Sequence, residues 1–351
     1  MMDKSAKIYI AGHKGTAGTA IHEKLLSLGY SNIVIKTRKE LDLINQAQVV
    51  DFFKTERPEY VFLCAVNPCG AATSKNRADF IYENTMIQNN IIHQSYVHGV
   101  KKMIFFGSGY MYPEHASNPI VEDSFMTGEL EYNALPFGVA KISGTLMCES
   151  YNLQYGTNFL TIALNNLYGT RANFNLSEAR VLPALIKKFH VAKLLSNNEF
   201  KKLRSELGLN TKEEVLKYCD DFGISDKYVE IWGTGKVRRE FIHSDDLADA
   251  AIYVMNNIDF QSTYKSNESI KNSQINVGTN IDYTIKEVAL MVKDIVGFQG
   301  ELKFNPSKPD STMDRLMDSS KLNNLGWKHK IELKDGIQMM YDWYINSFIK
   351  E

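Results

Sequence analysis

Gly12, Gly15 and Gly18, interrupted by His13-Lys14 and Thr16-Ala17, form a GxxGxxG turn between an apolar run, Lys7–Ala11 (KIYIA), and an amphipathic stretch. Glycines in such a turn let backbone N–H groups and the positive end of the following helix approach a pyrophosphate. The last glycine also lets helix and strand pack closely. Between a first strand and a first helix, the pattern points to a dinucleotide site built from Gly12, Gly15, Thr16, Ala17 and Gly18 rather than to a plain tight turn. The next apolar run, Asn32–Ile35, ends in Lys36-Thr37-Arg38-Lys39. A carboxylate there would accept from a ribose 2′-OH, whereas cations accommodate a 2′-phosphate, so this segment selects NADPH. Arg38 is suited to stack on adenine while pairing with phosphate, and one of Lys36 and Lys39 is expected only to solvate the loop. Asp42, in the Leu41-Asp42-Leu43 segment, is placed either to bond an adenine amine or to cap the next helix.

Such a site needs parallel strands that end together, and the chain has the pattern for them. Lys7–Ala11, Asn32–Ile35, Tyr60–Cys64, Met103–Phe106 and Asn158–Ala163 read as strands. Ala17–Leu28, Gln46–Lys54, Ala78–Val97 and Val139–Tyr155 read as helices, because their apolar residues recur every three or four positions. Strands this apolar belong where helices cover both faces. The expected fold class is α/β, a Rossmann-type doubly wound parallel sheet over 1–170, followed by a smaller C-terminal α/β substrate lobe over 171–351. Segments of that second half are expected to return to the first domain. Residues 197–227 are charged, and Asn210-Thr211 precedes a helical TKEEVLKYCDDF, the pattern of a helical insertion that decorates the surface.

With 351 residues, 44% hydrophobic and 23% charged, the chain reads as a globular enzyme without an apolar run long enough to span a bilayer. A formal charge of -1 argues against a nucleic-acid partner. Met1–Lys7 is polar and leads at once into a strand, so a cytoplasmic location is expected. Cys64, Cys69, Cys148 and Cys219 lack CxxC spacing and read as reduced, mostly buried thiols. No metal is implied.

Along nearly its whole length the chain resembles the GDP-fucose synthases. The resemblance is carried by Ala11–Ala20 (AGHKGTAGTA), Thr37–Leu43 (TRKELDL), Ala78–Asn84 (ADFIYEN), Leu146–Gly156, Asn166–Gly169, Trp232–Asp246 and Ser307–Asp310. It implies an extended short-chain dehydrogenase using NADP(H), with further cofactor contacts at Leu43 and Ala65, and a homodimer packed through a four-helix bundle. It also implies C4 reduction of a GDP-linked 4-keto sugar after epimerisation at C3 and C5. Lys188, Trp232, Arg239 and Lys308 match positions that hold the GDP portion. Lys188 stands where an arginine is usual and so keeps the charge without the bidentate fork. Asn166 and Val181-Leu182-Pro183 match as well.

Three positions break the pattern. The epimerisation cysteine and histidine correspond to Tyr110 and Arg180, neither of which suits proton exchange at carbon. Reduction in these enzymes uses Ser, Tyr and Lys, the last two placed four apart on one helix face. Ser108 and Lys141 are present, but Phe137 occupies the tyrosine position in Phe137-Gly138-Val139-Ala140-Lys141. Three readings stay open: an inactivating Tyr-to-Phe replacement, a natural phenylalanine with the proton coming from Tyr110 or from a water polarised by Lys141, and a silent binder of GDP-sugar and NADPH. The expected function is NADPH-dependent C4 reduction without epimerisation of a GDP-4-keto heptose or 6-deoxyhexose, as in bacterial capsule or lipopolysaccharide pathways. The altered loops Asn67-Pro68-Cys69 and Ser108–Tyr112 bear on the sugar. A bifunctional GDP-fucose synthase with relocated acid and base groups is the alternative.

Overall fold

The computed structural model describes residues 1–68, 76–264, 270–308, 310 and 314–348. In chain order the first elements are β1 (Ile8–Ala11), α1 (Thr16–Ser27), β2 (Ile33–Ile35), α2 (Gln46–Glu56), β3 (Tyr60–Leu63) and α3 (Arg77–Val97). They are followed by β4 (Lys102–Phe106), α4 (Leu135–Tyr155), β5 (Phe159–Leu164), β6 (Asn166–Tyr168), α5 (Val181–Ser196), α6 (Phe200–Leu207) and α7 (Lys212–Asp221). Next come β7 (Tyr228–Trp232), β8 (Arg238–His243), α8 (Ser244–Asn257), β9 (Ile275–Val277), β10 (Asp282–Thr284) and α9 (Ile285–Val296). The chain ends with β11 (Glu301–Asn305), α10 (Ser320–Asn324) and α11 (Leu333–Phe348).

The chain divides into two compact units, one made of Met1–Leu167, Glu240–Ile281 and Arg315–Lys330, the other of Tyr168–Arg239, Asp282–Asp314 and Ile331–Glu351. The first unit is a doubly wound α/β sheet of six strands in the order β2-β1-β3-β4-β5-β9, with parallel pairings throughout. Its strands are apolar on both faces because both are covered. Ile8, Ile10, Phe62, Ile104 and Ile162 pack on one side with Ile21 and Leu25 of α1 and Leu247, Ala251 and Val254 of α8. The intervening residues, Tyr9, Val61, Leu63, Met103 and Phe105, pack on the other side with Val49 and Phe53 of α2, Ile91 of α3 and Cys148 of α4. Each such side chain contributes about 2 kcal/mol by burial, so the sheet is a rigid platform for whatever follows its strand ends.

Because β1 lies between β2 and β3, successive connections run to opposite sides of it, and the strand order reverses there. Loops at the carboxyl ends diverge at such a point and leave a crevice. The helix expected from Val139 starts at Leu135, four residues earlier, with Pro136 in its first turn. Proline is tolerated there because its missing N–H would be unpaired anyway. Phe137 and Gly138 therefore belong to the helix.

In the second unit β7 and β11 pair in parallel, and α6 and α7 fall within 197–227. A reciprocal capping box between Thr211 and Glu214 starts α7. Among the described residues no helix is long and apolar enough to cross a membrane.

Candidate functional site

The glycine turn leaves β1 at Gly12, whose φ of +86° suits only glycine. A Cβ on Gly12 would stand 2.6 Å from the backbone nitrogen of Ala65, just past the end of β3. A Cβ on Gly18 would collide with the Gly12 carbonyl. Backbone thus fills the space in which side chains would otherwise stand. Gly15 caps α1 and offers no side-chain acceptor to the first-turn N–H groups of Thr16, Ala17 and Gly18, and that turn carries no acidic residue. These donors and the helix dipole remain available to an anion, so the cradle fits a dinucleotide pyrophosphate.

Beyond β2, Arg38 is 71% exposed and reaches Glu83 only at 3.9 Å, and Lys36 reaches Glu56 only at 3.9 Å. Pairs this long hold neither side chain firmly. Glu40, which sequence reading passed over, folds back so that Oε2 accepts from the Thr37 N–H at 2.7 Å and from its hydroxyl at 2.6 Å. Those bonds, the hydroxyl's first, hold its carboxyl below the usual range. Asp42 does not cap the next helix. Its carboxylate accepts from Ile44 N–H at 3.2 Å, while Asn45 caps α2 by accepting from Gln48 N–H. The Leu43 carbonyl accepts from Asn90 at 2.8 Å.

Past β4, Ser108 opens a single 3-10 turn, Gly109–Met111, and its hydroxyl oxygen accepts from the Tyr110 N–H at 3.3 Å. Tyr110 stands edge-on to Phe137, ring centroids 6.2 Å apart at 84°. One turn along α4, Lys141 donates to the Phe106 carbonyl at 2.7 Å, with its ammonium 5.7 Å from the Phe137 ring centre. Burial pushes that ammonium down to about 8. The first unit therefore gathers Ser108, Tyr110, Phe137 and Lys141 into one cluster. Asn67 is tied to α3, its N–H donating to Asn84 at 2.8 Å, and Cys69 lies outside the described residues.

In the second unit Trp232, the last residue of β7, and Lys308, beyond β11, come together. Trp232 is 63% exposed, with the Lys308 ammonium 5.3 Å from its ring centre. Lys188 on α5 donates to the Glu230 carbonyl of β7 at 2.8 Å, and burial brings it down to about 8. Arg239 donates to the Arg238 carbonyl at 2.6 Å. Arg180 is the exposed N-cap of α5, with Val181-Leu182-Pro183 opening the helix. In the first unit the Asn166 amide is committed to the Glu240 carbonyl at 2.9 Å.

Residues 8–278 match the NAD dependent epimerase/dehydratase family. The chain belongs to that family. Within it, the chain is 42% identical to a putative GDP-L-fucose synthase 2 of Arabidopsis thaliana, covering 100% of this chain and 95% of the relative. Among solved structures of the family, it is similar to a GDP-6-OMe-4-keto-L-xylo-heptose reductase from C. jejuni. The two share 66% identity over 99% of each chain, with a TM-score of 0.95. A GDP-mannoheptose C4 reductase from Campylobacter jejuni, solved with NADP bound, is 64% identical over 98% of this chain and 99% of the other, with a TM-score of 0.91.

Sequence reading missed three residues beside the Tyr110 cluster of this epimerase/dehydratase fold: Asn165, Glu240 and Arg315. Asn165 donates to the Arg315 carbonyl at 3.1 Å and to Glu240 at 3.4 Å, and Arg315 lies against the Tyr110 ring. Glu240 also gathers the N–H groups of Thr279, Asn280 and Met317.

Proposed function

We propose that the protein is an NADPH-dependent reductase that converts the C4 ketone of a GDP-linked 4-keto sugar to an alcohol and leaves C3 and C5 untouched. A heptose is the first substrate class to try and a 6-deoxyhexose the second. What carries the reading is the combination of a cofactor cradle with Tyr110 and Arg180 where proton exchange at carbon would need a thiol and an imidazole. The similarity to GDP-heptose reductases at 64–66% identity supports it. Bacterial surface-polysaccharide synthesis in the cytoplasm is the setting we infer.

Gly12, Gly15, Thr16, Ala17 and Gly18 would hold the pyrophosphate, Arg38 the 2′-phosphate, and Asp42, Leu43 and Ala65 would border the adenosine and nicotinamide ends. When bound, the dihydronicotinamide supplies the hydride that turns the C4 carbonyl into an alkoxide. Ser108 has its hydroxyl proton free to donate to the carbonyl oxygen, since its oxygen is the acceptor toward Tyr110 N–H. Lys141 would hold the nicotinamide ribose and add positive potential near the developing oxyanion. Asn166, Arg180, Lys188, Trp232, Arg239 and Lys308 are assigned to the GDP-sugar, with Trp232 suited to stack on a base and the cations to a diphosphate.

The test is incubation with NADPH and GDP-4-keto sugars in deuterated water, with the product read by NMR. Reduction at C4 without deuterium at C3 or C5 is expected. Deuterium or inversion at either carbon would overturn the reading in favour of a bifunctional synthase, and absence of NADPH oxidation would leave a binding protein.

Lys141 carries its charge below about pH 8 and loses it above. NADPH affinity is therefore expected to fall roughly 3- to 10-fold from about pH 7 to about pH 9. Lys141→Met should bind weakly at both, as fluorescence titration would report.

We also infer a homodimer through α3 and α4 of each copy. Tyr82 and Val97 of α3 and Leu146, Leu153 and Tyr155 of α4 are apolar and exposed. Leu146→Asp with Leu153→Asp, one heptad apart, is expected to give monomers in light scattering where the parent gives dimers.

A further inference from the structure

Phe137 has no O–H, so the proton taken up by a reduced ketone must come from another group. We propose that Tyr110 is the general acid of the reduction and that Arg315, against its ring, is the residue that stabilises the phenolate it becomes. This rests on the reductase reading above.

Two close approaches place Tyr110. A Cβ on Gly138 would stand 2.6 Å from the Tyr110 carbonyl oxygen, so only glycine lets the first turn of α4 meet the 3-10 turn at this point. A Cβ on Gly109 would collide with the Asn165 side chain. Asn165 in turn donates to the Arg315 carbonyl at 3.1 Å. One asparagine thus seats both the turn that carries Tyr110 and the segment that carries Arg315.

The Arg315 guanidinium carbon lies 5.1 Å from the centre of the Tyr110 ring. Arg315 is only 5% exposed. Its Nη2 makes a single long bond, 3.4 Å to the Tyr112 carbonyl, and among the described residues Nε and Nη1 have no hydrogen-bond partner. A guanidinium so buried and so poorly paired is costly unless something nearby offsets it. A neutral aromatic face offsets part, and a phenolate offsets much more. The arrangement therefore favours the charge distribution that exists after proton transfer, which is how a preorganised site lowers a barrier. Tyr110 itself is half-buried. Ser108, two residues earlier, brings its hydroxyl from the same turn. Two other titratable groups border this cluster: Lys141, engaged with the Phe106 carbonyl, its ammonium 5.7 Å from the Phe137 ring centre, and Glu240, whose carboxylate accepts from the Asn165 amide at 3.4 Å.

Hydride from the dihydronicotinamide forms the C4–H bond, and the carbonyl π pair moves onto oxygen. The Tyr110 O–H bond breaks, its proton forms the product hydroxyl, and its electron pair remains on the phenolate beside Arg315. Solvent then returns a proton to Tyr110.

Tyr110→Phe is expected to slow single-turnover NADPH oxidation by about 100-fold while leaving NADPH affinity unchanged. Adding Phe137→Tyr to that variant should restore much of the rate, because a phenol returns one turn from Lys141. Arg315→Met should lose about 10-fold and Arg315→Lys should regain most of it. A readout free of cofactor is the ultraviolet difference titration of phenolate. One phenol should disappear in Tyr110→Phe, and that phenol should ionise at higher pH in Arg315→Met than in the parent. Parent turnover with an unchanged rate in Tyr110→Phe would remove this proposal and leave the reductase reading standing. An unmoved titration in a folded Arg315→Met would remove Arg315 from it. A parent that oxidises no NADPH with any GDP-4-keto sugar would overturn both.

Discussion

Gly12→Val is expected to weaken NADPH binding by about 1000-fold, a loss of about 4 kcal/mol. Two costs combine. At φ +86° a β-branched residue is strained, by about 1–2 kcal/mol. Its Cβ would also lie 2.6 Å from the nitrogen and 2.7 Å from the Cα of Ala65, both backbone atoms that cannot swing aside. The turn would have to lift away from β3, taking the first-turn N–H groups of α1 with it. Gly29→Ala is a control for positive-φ strain away from this turn. Gly29 has a φ of +84° and nothing within 4 Å of the place a Cβ would take, so this variant keeps the strain without the collision. Titration of both variants with NADPH should show near-parental affinity for Gly29→Ala. Parental affinity in Gly12→Val would mean that the pyrophosphate does not sit on this turn.

Glu240→Gln is expected to lower stability by about 2–3 kcal/mol, a fall in Tm on the order of 5–10 °C. Four donors converge on the Glu240 carboxylate. Thr279 and Asn280 N–H reach one oxygen at 2.7 and 3.0 Å, and Met317 N–H and the Asn165 amide reach the other at 3.1 and 3.4 Å. A carboxylate is acceptor on both sides, whereas a glutamine amide must turn its NH₂ toward two of those donors. Burial pushes the carboxyl up to about 7, against the pull of those same donors. Calorimetry on the two proteins measures the difference, and an unchanged Tm would show that the four bonds contribute nothing net. Because Asn165 also holds Arg315, the variant should slow turnover as well.

Much of this is legible in the chain alone. The strands are legible because each one alternates two apolar faces, as in Ile8-Tyr9-Ile10-Ala11, and the glycine turn because its spacing follows directly from strand to helix. Phe137 is legible because it keeps a four-residue register with Lys141. The start of α4 is not, since Pro136 reads as a breaker when its place in a first turn is unknown. Asp42 has the residue type of a cap that Asn45 in fact makes: Asp42 accepts from the Ile44 N–H ahead of the helix, and Asn45 accepts from the Gln48 N–H inside it. Arg315 has no local signature. It meets Tyr110 across more than 200 positions, and nothing in Asp314-Arg315-Leu316 marks a partner so distant. Local spacing encodes turns and helix faces, but a tertiary contact of this kind leaves no period.

The position of β9 beside β5 constrains the order in which the protein can be made. β5 finds its outer neighbour only after on the order of 100 more residues have been synthesised, several seconds at about 5–20 residues per second. Until then Phe159–Leu164, buried at every position in the finished protein, is an unpaired edge open to other chains. A contiguous N-terminal piece ending near Leu167 therefore cannot stand in for the unit it begins, which is completed by Glu240–Ile281 and Arg315–Lys330.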